Sequence, residues 1–116
     1  MKKIYYLQTC DTCRRILKEF NFSGFEKQEI KTQSITEKQL EEMKALAGNY
    51  ESLFSKKSRK YSELGLKDKS LTEDDFRELI LSEYTFLKRP VIIDGKEIFI
   101  GSDKKNLERL NAHFNG

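Results

Sequence analysis

The chain opens on a short aromatic and β-branched run, Lys3-Ile4-Tyr5-Tyr6-Leu7-Gln8-Thr9. Its composition and length predict a buried strand. The apolar spacing then changes. Cys13, Ile16, Leu17 and Phe20 recur at helical intervals, while Arg14, Arg15, Lys18 and Glu19 fall on the other sides. That is the stripe of a helix lying against a core. Gly24 interrupts it, and the imperfect alternation of residues 25–31 predicts a second strand. Strand, helix and strand within about thirty residues make up a βαβ unit.

The next section is helical. Thr36-Glu37-Lys38-Gln39 has the form of a capping box, and Leu40, Met43, Leu46 and Ala47 supply one apolar face before Gly48 stops the helix. A second helical stretch is expected from about Glu51, with Leu53 and Phe54 inward, Tyr61 and Leu64 resuming the pattern, and Gly65 ending it. Thr72 caps a third helix that carries Phe76, Leu79 and Ile80. The period then returns to that of strands. Val91-Ile92-Ile93 and Lys96 to Ile100 flank Asp94-Gly95, a strong hairpin signal. Asp103 opens a last helix with Leu107, Leu110 and Phe114 inward. The order is β-α-β, several helices, β-β-α, which predicts an α/β fold around one mixed sheet. The segment at about 36–83 reads as an inserted helical lobe within a single domain of residues 1–116.

Composition narrows the classes. The chain has 116 residues, enough for one core without staples. Its 8 Phe and 5 Tyr argue against disorder. A net charge of +3 is too small to point to nucleic acid, and no basic stripe or nucleic-acid motif accompanies it. The apolar run after Met1-Lys2-Lys3 is too short for a signal peptide, and no stretch would span a membrane. The expected location is therefore the cytoplasm. Two cysteines three apart do not make a disulfide scaffold.

Those cysteines carry the candidate chemistry. Cys10 lies where the first strand gives way to the first helix. Free backbone N–H groups and the helix dipole there favour a negative thiolate and lower the thiol pKa from about 8.5. Cys13, one turn on, begins the apolar stripe and should be less exposed. An attacking Cys10 and a resolving Cys13 fit that arrangement. A zinc site would need about four ligands, and His113 is the single further soft ligand; no metal is expected. Inert core thiols and a chance C-x-x-C are the remaining alternatives. Arg89-Pro90 contains the chain's one proline. Base rates favour a trans bond at the start of an edge strand, while a cis bond would bring the backbone beside the cysteines. Arg89 could hold an anion near Cys10. The run Ser55-Lys56-Lys57-Ser58-Arg59-Lys60 reads as a solvated basic face or an anion contact, and His113 as a structural or surface residue.

Four stretches together resemble the arsenate reductase/Spx (ArsC-like) family. They are Thr9-Cys10-Asp11-Thr12-Cys13-Arg14; Ile30-Lys31-Thr32 with Thr36-Glu37; Leu53 to Ser58 with Tyr61 to Leu66; and Leu87-Lys88-Arg89-Pro90-Val91-Ile92 with Ile100-Gly101. The resemblance implies a thioredoxin-like three-layer sandwich, with a mixed four-stranded sheet (βαβ plus ββα) and an inserted helical lobe. It also implies a nucleophilic Cys10, a cis Pro90 beside it and an Arg89 that faces the site. The family's glutaredoxin-linked arsenate reductases have one cysteine, with a serine usually three residues on, and three arginines around the oxyanion. Here Cys13 stands at the serine position, Arg89 matches one arginine, Lys57 stands at the second, and Gly101 itself, close to where the third would lie, carries no cation.

The expectation is a cytoplasmic thiol-dependent oxidoreductase. Cys10 attacks, Cys13 or glutathione resolves, and Arg89 stabilises negative charge. Thr12, Arg14, Lys57, Arg59 and Pro90 are expected to contact substrate. No bound cofactor is expected, with glutathione as a co-substrate. The expected substrate is a small oxyanion or a disulfide, the expected redox partner glutaredoxin or thioredoxin, and the expected state a monomer. The alternative implied by the Spx branch is a redox-sensing transcription regulator that binds RNA polymerase.

Overall fold

The computed structural model describes residues 1–115. The chain divides into two compact units. One comprises Met1–Gln33 and the chain from Arg89 onward, and the other comprises Ser34–Lys88.

The first unit is built on a mixed four-stranded sheet with strand order β2-β1-β3-β4. The strands are β1 (Lys2–Tyr6), β2 (Glu26–Glu29), β3 (Val91–Asp94) and β4 (Glu97–Ile100), and the helices of this unit are α1 (Asp11–Glu19) and α5 (Lys104–Asn115). β1 runs parallel to β2 and antiparallel to β3, which pairs antiparallel with β4. Registers Ile4↔Ile92 and Ile92↔Phe99 line up three apolar side chains across the sheet. Because side chains alternate along a strand, all three share one face. Ile16 and Phe20 at α1 and Leu110 of α5 pack on that face, with Phe22 completing the cluster. The opposite face buries Tyr5, Val91 and Ile93.

Both predicted early strands are shorter than their apolar runs. β1 starts at Lys2 and stops at Tyr6 rather than Thr9, because the chain turns and the Cys10 N–H reaches back to the Leu7 carbonyl at 3.1 Å. β2 stops at Glu29, whose carboxylate accepts from the Lys31 and Thr32 N–H groups and folds the chain into a turn. The hairpin forms where expected, but its two-residue loop is Gly95-Lys96, since Asp94 pairs with Glu97. Gly95 has φ +64° and no non-glycine residue has positive φ, the pattern of a type II′ turn. Asp103 caps α5, its carboxylate accepting from the Asn106 N–H at 2.8 Å.

The second unit contains α2 (Glu37–Ala47), α3 (Arg59–Glu63) and α4 (Glu73–Ser82). Complete capping boxes open α2 at Thr36/Gln39 and α4 at Thr72/Asp75, and left-handed Gly48 closes α2. The helix expected from Glu51 is interrupted. A single 3-10 turn covers Glu51–Leu53, and the chain then extends so that Phe54 bridges Leu87. Backbone bonds Ser55 N–H to Phe86 O (2.7 Å) and Lys88 N–H to Leu53 O (2.8 Å) hold that bridge. Leu64, expected inward, is exposed, and Leu66 is buried instead. The Phe54 ring stacks on Phe86 and meets Phe76 at 4.9 Å between centroids.

Leu110 is fully buried in the sheet-facing cluster. Leu110→Ala is expected to cost about 2–5 kcal/mol, read as a lower urea midpoint with an unchanged slope.

Candidate active site

The first unit assembles the site at the C-terminal end of β1. Cys10 is the residue immediately before α1, with extended backbone angles, and its carbonyl accepts the Arg14 N–H at 3.1 Å. Its side chain is half-buried, while Cys13 is completely buried at the start of the α1 stripe; both thiols are free. The sequence expectation of one accessible and one enclosed sulfur therefore matches the structure.

The two thiols are driven in opposite directions. For Cys10 the largest single influence is partial burial, which raises its pKa. The Cys13 N–H, the Cys13 thiol, the Arg89 charge and the Thr12 N–H together outweigh burial, and the pKa falls below its ordinary value. Burial pushes the Cys13 thiol up to about 12, with the neighbouring Cys10 charge acting in the same direction. Cys13 therefore keeps its proton and directs it toward the Cys10 sulfur.

Arg89 precedes Pro90, and the peptide bond between them is cis. The residue-level reading of a trans proline on an edge strand is overturned. β3 lies between β1 and β4, and Pro90 is buried just ahead of it. The Pro90 carbonyl accepts the Gly101 N–H at 2.9 Å. Since Tyr5 pairs with Val91, the segment before β3 runs beside the segment after β1. That pairing brings Arg89 within electrostatic range of both cysteines.

The other expected contacts divide. Thr12 contributes its backbone N–H to Cys10. Arg14 is exposed and pairs with Asp11 on its own helix, so its charge is engaged there. Lys57 and Arg59 belong to the second unit, where both are exposed; the Lys57 N–H bonds to Ser55 Oγ, and Arg59 opens α3 behind its Ser58 cap. His113 bonds Asp94 at 2.9 Å and lies against Phe99 and Phe114.

Sequence reasoning missed Glu29. Its carboxylate accepts the Gln8 N–H at 2.9 Å, two residues before Cys10, as well as the Lys31 and Thr32 N–H groups and the Thr32 hydroxyl. It ties the loop that presents Cys10 to the turn after β2. No sequence signal marks it, because a glutamate ending a polar strand resembles any solvated charge.

A mixed four-stranded sheet in order β2-β1-β3-β4, with α1 following β1 and starting directly after Cys10, is a thioredoxin-like fold. The sequence model of the ArsC family matches residues 5–110, and the chain belongs to that family. It is 34% identical over 112 residues to the protein YusI of Bacillus subtilis (strain 168), covering 90% of this chain and 92% of that one. An ArsC family related protein from Bacteroides fragilis superimposes with a TM-score of 0.78 at 22% identity, covering 94% of this chain and 96% of the other. A protein of Streptococcus mutans UA159 described as a possible arsenate reductase gives 0.71 at 26% identity, covering 93% and 98%. Among the described residues no helix is long and apolar enough to cross a membrane.

Two outcomes follow from these environments. Iodoacetamide at neutral pH is expected to modify Cys10 with a midpoint below that of a free thiol, and to spare Cys13 until the protein unfolds; mass mapping of alkylated peptides reads both. Glu29 is held below its ordinary carboxylate range: slight burial opposes this, but the hydrogen bonds from Gln8, Thr32 and Lys31 prevail. Its contribution to stability is thus present above its unfolded pKa and lost as pH falls through the lower folded value. Urea unfolding of Glu29→Gln should show a deficit against the parent at pH 7 that shrinks in acid.

Proposed function

We propose that this ArsC-family chain is a thiol-dependent reductase whose nucleophile is Cys10. One observation carries the reading: two cysteines one turn apart, of which the half-buried one has a lowered pKa and the buried one holds its proton up to about 12. That asymmetry separates attack from resolution.

With an oxyanion of the arsenate kind, the Cys10 thiolate forms a sulfur–arsenic bond as an arsenate hydroxyl takes a proton from solvent and leaves as water. Arg89 offsets the negative charge of the bound oxyanion. A second thiol then attacks Cys10 Sγ. The sulfur–sulfur bond forms, the sulfur–arsenic bond breaks, and its electron pair reduces As(V) to As(III). With a disulfide substrate the same two attacks are thiol–disulfide exchange. Cys13 is the nearest second thiol. The Cys10 charge contributes to its high pKa, and adduct formation removes that charge, so Cys13 becomes easier to ionise at the step that needs it. Glutathione is the external alternative, with glutaredoxin or thioredoxin restoring the reduced protein. Reduced thiols suit a cytoplasmic setting.

The Spx-like alternative uses the same pair as a switch, with closure of Cys10 and Cys13 altering binding to RNA polymerase. The two readings separate experimentally. Arsenate and a glutathionylated peptide are offered with NADPH and either the glutathione–glutaredoxin or the thioredoxin system. Turnover that Cys10→Ser reduces to background is expected, with Cys13→Ser retaining activity only when glutathione is supplied. Absence of turnover with every donor would overturn the reductase, and redox-dependent co-purification of RNA polymerase subunits would then favour the switch.

A further inference from the structure

Asn106 lies in the first turn of α5, away from the cysteines in sequence, and is 95% buried, its relative exposure being 5%. Its Nδ2 donates to the Gly101 carbonyl at 2.8 Å. A carbonyl only accepts, so this partner assigns the orientation of the amide. Its Oδ1 is buried and has no hydrogen-bond partner among the described residues. An amide with one end unsatisfied is a costly group to enclose, and an apolar side chain would avoid that cost. The polar identity therefore needs a reason, and the Gly101 bond supplies it.

Gly101 is bonded on both sides. Its carbonyl accepts from Asn106, and its N–H donates to the Pro90 carbonyl at 2.9 Å. Pro90 directly follows Arg89 through the cis bond. A continuous path thus runs from the α5 N-terminus through Gly101 to the segment that carries Arg89. We propose that Asn106 is a positioning residue: by fixing Gly101 it holds the Arg89–Pro90 segment, and with it the guanidinium charge, in place beside the Cys10 sulfur. Asn106 touches no reacting atom and acts through Arg89. The proposal rests on Cys10 being the nucleophile, but its readout is thiol ionisation and needs no turnover.

The charged and titratable groups acting on Cys10 are the Cys13 thiol on α1 and Arg89 ahead of β3. Asp11 and Arg14 on α1 pair with one another, and Glu29 binds the backbone two residues before it. Removing the Asn106 donor leaves all of these in the chain and releases the Gly101 carbonyl.

The test is the pH dependence of Cys10 alkylation by iodoacetamide in the full chain, with Cys13→Ser as the common background so that one thiol is followed. Asn106→Ala deletes the amide, and Asn106→Asp keeps its shape while placing a carboxylate oxygen against the Gly101 carbonyl. Asp103→Ala, which removes the α5 cap but not the Gly101 bond, controls for general loss of stability. Asn106→Ala and Asn106→Asp are expected to raise the midpoint by on the order of half a pH unit, about threefold less thiolate below it. Asp103→Ala should lower the urea midpoint without that shift. In an Arg89→Leu background Asn106→Ala should add nothing. An unchanged midpoint in the folded Asn106→Ala protein, an equal shift in Asp103→Ala, or a full shift in the absence of Arg89 would overturn the proposal. If Cys10 fails to turn over any substrate while these shifts appear, the positioning role stands and the reductase reading falls.

Discussion

The antiparallel pairing of β1 with β3 brings together residues from opposite ends of the chain. Tyr5 opposite Val91 aligns the exit of the first strand with the entrance of the third. Cys10 follows one, and Arg89-Pro90 precedes the other. A slip of one residue would turn Ile4 and Ile92 away from α1 and α5 and expose them. The hydrophobic face that selects the register thereby also brings the segment carrying Arg89 beside the one carrying Cys10. Packing and electrostatics at this site have one cause.

Two identical functional groups, one helical turn apart, behave differently because only one of them is enclosed. Cys13 is buried under the α1 stripe, where a negative sulfur would lose its hydration with little return. Cys10 stands where α1 begins, facing N–H groups that no carbonyl within the helix can satisfy. Peptide geometry, a buried proton donor and a remote arginine all act on the same atom. Their sum exceeds the penalty of partial burial. The site therefore stabilises charge with backbone and neighbours.

Support for that atom comes from polar groups at the margins of the sheet. Glu29 binds the loop ahead of Cys10, Gly101 binds Pro90, and Asn106 binds Gly101. Each satisfies backbone groups left open where strands end, which ordinary ladders cannot do. The second unit is stabilised in similar terms. Glu73 accepts from the Tyr50 and Glu51 N–H groups, and Arg77 joins Glu41 and Glu78.

Much of this is legible in the sequence. Apolar spacing alone determined α1, α2, α4, α5 and the β3–β4 hairpin, because each is a local periodicity reinforced by its own cap or turn. The position of Cys10 between strand and helix was likewise local, and with it the lowered pKa. Tertiary structure decided the rest. The broken helix after Glu51 depends on Leu87, a residue far along the chain that captures Phe54 in an extended bridge. The internal place of β3, the pairing of Arg14 with Asp11, and the roles of Glu29 and Asn106 arise from partners that spacing does not name. A sequence records what each residue prefers from its neighbours along the chain, whereas the worth of a charge or a buried amide depends on which distant groups the fold brings to it.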